Sequence, residues 1–162
     1  MNTSISHYLI VTSSYLGFTL SDGALRMLVL FYFFKLGFSP LTLALLFLLY
    51  EFAGVVANLG GGWLTTRFGI RIMFLVGLSL QIIGLIFLSL LDPSFYYILS
   101  IIWVLAAQGI SGLAKDFTKT ASKSAIKSME VDEKQGLFYW VSWFTGSKNA
   151  MKGIGFFLGG IL

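Results

Sequence analysis

The length of the apolar runs limits this chain more than any other feature. Charge interrupts Tyr8 to Phe34 only at Asp22 and Arg26, and Leu41 to Leu64 only at Glu51. It does not interrupt Ile72 to Leu91 at all. A helix needs about 20 mostly apolar residues to cross a bilayer, and each run is long enough. A backbone in lipid must also satisfy its own N–H and C=O groups, which a helix does within the segment. The expected class is therefore all-α, a polytopic membrane helix bundle.

Composition agrees. Of 162 residues, 57% are hydrophobic and 11% charged, whereas soluble domains carry about 25% charged residues. So few charges could not cover a water-facing surface. This argues against a soluble enzyme, a disordered tail and a nucleic-acid binder, despite a net charge of +4. There is no cysteine, and His7 is the one histidine, so no thiolate or multi-histidine metal site is expected, and no cofactor. Residues 1 to 7 hold no Lys or Arg, and the first run is too long for a signal peptide's apolar region. It reads as a retained transmembrane helix.

The expected spans are about 8–34, 41–64, 72–91, 95–129 and 135–162, in one partial transmembrane domain over 1–162. Lys35 to Pro40 and Asp92-Pro93-Ser94 read as turns. Thr65 to Arg71 reads as a short basic loop, and Val131 to Lys134 as a charged one. Hydropathy alone would end the fourth span near Leu113. No Gly or Pro lies between Leu113 and Met129, so a long helix is favoured over a break near Gly109 or Gly112. Arg67, Arg71, Lys127 and Lys134 fall on one side and Lys35 alone on the other, which puts the N-terminus in the cytoplasm. Trp63 and Trp140 fall near the expected interfaces, as anchors.

Charges at bilayer depth are the strongest chemical signal. Asp22, Arg26, Glu51, Lys115, Asp116, Lys119, Lys148 and Lys152 all look embedded. Each would cost about 2.5–3.5 kcal/mol facing lipid, roughly 20–28 kcal/mol together. That exceeds the roughly 5–15 kcal/mol net stability of a typical fold. Most must therefore face a wet cavity or one another. Asp22 and Arg26 (i, i+4) and Asp116 and Lys119 (i, i+3) can pair on one helix face, which leaves Lys115 without a local partner. Lys148 and Lys152 repel unless an anion intervenes, or they snorkel to an interface. Lys115, Lys119, Lys123 and Lys127 follow a stride of four that either lines a cavity entrance or decorates a cytoplasmic helix end. Glu51 and Asn58 are a candidate proton site and a polar cavity residue, or packing hydrogen bonds. Gly155 and Gly159 have G-x-x-x-G spacing, which permits close helix approach. Gly60-Gly61-Gly62 ends a membrane helix, where packing is a better account than phosphate binding.

Gly62, Arg67, Gly69 and Arg71 match four positions of the pattern G-x-x-x-D-R-x-G-R-R/K, with Thr66 and Ile70 departing from it. This stretch resembles the loop between helices two and three of the major facilitator superfamily, and the resemblance implies a gating loop there. Thr19 to Val29, Gly112 to Asp116, Ser122 to Lys127 and Gly146 to Gly160 are similar to organoarsenical-efflux permeases (ArsJ type) of that superfamily. This likeness runs from about Tyr8 to Leu162 and implies a secondary-active exporter of 1-arseno-3-phosphoglycerate that confers arsenate resistance. It implies no enzyme activity of its own, but a functional link to a glyceraldehyde-3-phosphate dehydrogenase that makes the ester.

On that likeness, the site residues would be Arg26, Lys115, Lys119, Lys148, Asn149 and Lys152 for the anionic substrate. Asp22, Glu51 and Asp116 would be candidates for proton coupling. The location would be the cell (inner) membrane, with the lipid bilayer and a small organoarsenical anion as partners and no nucleic acid. Full members have two six-helix halves, so the chain is expected to be an N-terminal fragment. The alternatives are a carrier of another organophosphate or drug, and a non-transporting truncated membrane protein.

Overall fold

The computed structural model describes residues 3–92, 94–127 and 137–161, and the expected loop Val131–Lys134 lies outside them. The described residues form helices α1 (Thr3–Lys35), α2 (Pro40–Phe68), α3 (Ile70–Ser89), α4 (Tyr97–Lys127) and α5 (Leu137–Ile161), with no strand among them. Four are long and apolar enough to cross a membrane: Tyr8–Lys35 of α1, then α2, α3 and α4. These four fit a multi-pass membrane helix bundle. Helix α5 has the length for the expected fifth span, but Lys148, Asn149, Lys152 and its Ser and Gly residues dilute its hydropathy.

The chain divides into two compact units. The first is Met1–Tyr32 with Ala121–Leu162, and the second is Phe33–Thr120.

In the first unit, α1 and α5 pack in parallel, their contacts advancing together along both helices. The Tyr8 ring meets Trp140 edge-on at 4.6 Å, and Tyr15 stacks on Phe144 at 5.1 Å. Further along, a methyl group on Gly155 would lie 2.5 Å from the Leu20 carbonyl oxygen, and one on Gly159 would collide with the Ala24 backbone. The G-x-x-x-G pair thus brings two backbones together where side chains would hold them apart.

In the second unit, Ser39 caps α2 by accepting the Thr42 N–H at 3.2 Å, with Pro40 in the first turn, an arrangement both residues favour. Helix α2 lies parallel to α4, while α3 runs antiparallel to α4. A methyl group on Gly112 of α4 would strike the Tyr50 carbonyl of α2, and Gly77 and Gly84 of α3 receive Thr118 and Ser111 of α4. Trp103 Nε1 donates to the Phe87 carbonyl at 2.7 Å, and its ring stacks on Phe87.

The faces are reversed from those of a soluble protein. Helix α3 buries Met73, Gly77, Gln81 and Gly84, and turns Ile72, Leu75, Ile82, Ile83 and Ile86 outward. Helix α2 buries one stripe (Leu43, Leu46, Tyr50, Gly54, Ala57, Gly61, Thr65), yet exposes Leu41, Leu45, Leu48, Phe52 and Leu59. Large apolar side chains outside and small ones between helices suit a lipid solvent.

The expected basic loop at Thr65–Arg71 is almost entirely helical. Nothing breaks the helix before Gly69, the Thr65 hydroxyl donates to the Gly61 carbonyl at 2.6 Å, and Gly69 alone separates α2 from α3. Gly69 has φ +87°, a conformation only glycine adopts without strain. Helix α4 runs unbroken past Gly109 and Gly112.

Two outcomes follow from this geometry. Gly112→Ala forces a backbone shift at Tyr50 and costs about 1–3 kcal/mol. Gly62→Ala, which meets nothing within 4 Å, is neutral or stabilises by up to about 1 kcal/mol. Unfolding midpoints of the two variants in mixed detergent separate them. In the turn after α3, the Ser94 N–H donates to Asp92 Oδ1 at 2.8 Å, which holds the exposed Asp92 carboxyl below its ordinary pKa. The bond is present above the unfolded-state pKa of about 3.9 and is lost as pH falls through the lower folded value. An NMR titration of the Asp92 carboxyl finds its midpoint below the ordinary one.

Candidate functional site

In the second unit, the embedded charges gather where α2 and α4 run side by side. Lys115 Nζ lies 3.3 Å from Glu51 Oε2 and 4.6 Å from the centre of the Tyr50 ring. One helical position on, Lys119 Nζ donates to Asp116 Oδ1 at 2.6 Å. Thr120 and Asn58 approach at 3.5 Å between hydroxyl and amide oxygen. Glu51, Gly54 and Asn58 recur at helical spacing on α2, opposite Lys115, Asp116, Lys119 and Thr120 on α4.

The two ion pairs differ in kind. The Asp116 side chain is 5% exposed and fits the notch left by Gly54, where a methyl group would collide with its carboxylate. Buried and charge-paired, it joins α2 to α4. The Glu51 side chain is 57% exposed, so its pair with Lys115 is the open one of the two. The Tyr50 ring beneath Lys115 is fully buried and offers the ammonium a π face.

Lys115 has no partner at helical spacing on α4, as expected, but it does have one from α2. Helix-local spacing could not show it, because Glu51 comes from another helix. Two lysines and two carboxylates also make this cluster electrically balanced. Of the charges that look embedded, the first unit holds three cations, Arg26, Lys148 and Lys152, and one carboxylate, Asp22.

In that unit, Arg26 Nε is 3.9 Å from Asp22 Oδ2, with Asp22 buried. Gly23, next in the chain, packs on the Lys152 carbonyl, the Gly155 Cα and the Phe156 ring. The Asp22–Arg26 segment thus borders the α5 segment that carries the lysines. Lys152 Nζ sits 5.3 Å over the Phe156 ring, Lys148 is half-buried and Asn149 is exposed.

The expected gating residues sit at the α2–α3 junction. Gly62 is open on its Cβ side. Arg67 lies in the last turn of α2, Gly69 is the joint, and Arg71 lies in the first turn of α3. Tyr50 and Gly54 are the members of this cluster that the sequence did not single out. Their signal was faint, namely an aromatic and a glycine flanking Glu51 within a span. No protein-family model, curated protein or solved structure matches this chain.

The burial difference between the two ion pairs fixes an order of effects. Asp116→Ala leaves Lys119 without its carboxylate at a helix contact and costs about 3 kcal/mol. Glu51→Ala costs less than about 1 kcal/mol. Detergent-unfolding free energies of the two variants, compared with wild type, check the ranking.

Proposed function

We propose that this chain belongs to a secondary-active membrane transporter that exports an organoarsenical anion, 1-arseno-3-phosphoglycerate, as ArsJ-type permeases of the major facilitator superfamily do. The observation that carries the reading is the retention of ionisable side chains inside apolar, membrane-length helices. Such residues are costly in lipid and mark substrate or proton pathways. The cation excess on α1 and α5, Arg26 and the two lysines against one aspartate, suits a substrate with several negative charges.

Arg26, Lys148, Asn149 and Lys152 would bind phosphate or carboxylate oxygens. In the second unit, Lys115 and Lys119 are the remaining candidates for anion contact, each held by a carboxylate. Among the coupling candidates, exposed Glu51 suits proton exchange better than Asp116, which is held in its notch, and Asp22 would balance Arg26. In this reading the helices belong to one half of a two-half carrier that works by alternating access. Gly62, Arg67, Gly69 and Arg71 would form its gating junction. The protein would lie in the inner membrane with its N-terminus in the cytoplasm, supplied with substrate by a glyceraldehyde-3-phosphate dehydrogenase.

The test is arsenic efflux from cells that express the full-length protein together with that dehydrogenase. Export depends on both proteins. Lys152→Gln and Arg26→Gln each lower the efflux rate roughly tenfold or more at unchanged protein abundance, the loss expected for a charged hydrogen bond. Lys152→Arg retains most of it. Efflux that ignores both glutamine substitutions removes these residues from the substrate site. Stronger competition by an organophosphate than by the arsenical in everted vesicles reassigns the substrate.

A further inference from the structure

The α2–α3 junction holds two cations, Arg67 and Arg71. From Phe52 to Leu91 the sequence has no Asp or Glu, so no carboxylate of either helix beyond Glu51 can neutralise Arg67 or Arg71. Arg67 is not solvated as a bare cation. Its guanidinium carbon lies 5.3 Å from the Trp63 ring centre and 5.9 Å from the Phe68 ring centre. Both rings are exposed, Trp63 at 59%. Indole rings and arginines gather at the headgroup level of a bilayer, and these stand at the ends of two membrane-length helices.

A second, independent feature points the same way. Helix α3 begins directly after Gly69, which offers no side-chain cap. Its first-turn N–H groups therefore end a 20-residue helix at the positive pole of its dipole. Arg71 sits in that turn and is exposed, and Arg67 lies in the last turn of α2, two residues before the joint. Guanidinium groups and uncapped N–H groups together recognise a phosphate oxyanion. The exposed rings beside them suit the apolar side of the same molecule.

We propose that the α2–α3 junction binds the phosphate headgroup of an anionic phospholipid, with Trp63 and Phe68 at the acyl boundary and Arg67 and Arg71 on the phosphodiester. The occupant is a lipid rather than a free phosphate, because the rings that bracket Arg67 are themselves exposed and apolar. The inference does not depend on what the protein transports.

The test uses the full-length protein in nanodiscs containing phosphatidylcholine with either brominated phosphatidylglycerol or brominated phosphatidylcholine, read by tryptophan quenching. Brominated phosphatidylglycerol is expected to quench more strongly at equal mole fraction, and the difference disappears in Trp63→Phe, which assigns it to this ring. Titration with phosphatidylglycerol gives an apparent preference of roughly thirtyfold over phosphatidylcholine, about fivefold per arginine. Arg67→Gln and Arg71→Gln each lower it by about that factor, while Arg67→Lys retains most of it. Equal quenching by the two lipids in wild type overturns the proposal, as does a preference unchanged in Arg67→Gln/Arg71→Gln. Loss of the preference on adding excess soluble glycerol phosphate also overturns it, since the site then takes a free phosphate.

Discussion

Close contact between helix backbones at glycine is the interaction on which this structure depends. Apolar helices gain little by hiding from lipid, so they must associate through packing and polar contacts. Gly112 lets α4 reach the Tyr50 carbonyl, Gly77 and Gly84 admit side chains of α4, and Gly155 and Gly159 settle on the backbone of α1. Large residues at these points would separate the helices and remove the dispersion contacts that hold them. Ile72, Ile82, Ile83 and Ile86 of α3 and Leu41, Leu45, Leu48 and Leu59 of α2 face the surroundings, where they cost nothing in hydrocarbon.

The same closeness governs the charges. A carboxylate in a helix contact is tolerable when it is small, paired and given room, and Asp116 has Lys119 for charge and Gly54 for space. Glu51 reaches an exposed position on the same helix pair and holds Lys115 by a contact that is not buried. One interface thus carries a buried pair and an exposed pair one helical position apart. Burial separates their roles, since chemically they are the same pairing.

Much of this was legible in the sequence, and the rest was hidden for a physical reason. Run length revealed α1 to α4, because the demands of hydrocarbon on a backbone are strict and local. The i, i+3 and i, i+4 spacings revealed the pairs Asp116–Lys119 and Asp22–Arg26, because they depend on a single helix. Glu51–Lys115 was invisible, as was the fit of Asp116 to Gly54, because both require the register between α2 and α4. Glycine spacing hints at that register without fixing it. The basic stretch Thr65–Arg71 suggests a loop by its charge, although nothing in Thr65, Thr66 or Arg67 opposes a helix. A positive-φ glycine was enough to turn the chain.

That turn restricts movement. Consecutive Cα atoms are about 3.8 Å apart, so with a single residue as linker the adjoining ends of α2 and α3 cannot drift apart. Rotation about the Gly69 torsions can change the angle between them, but no slack exists to lengthen the span. Any tilt of α2 at this end must therefore drag the start of α3 with it, as two rods pinned at a common pivot.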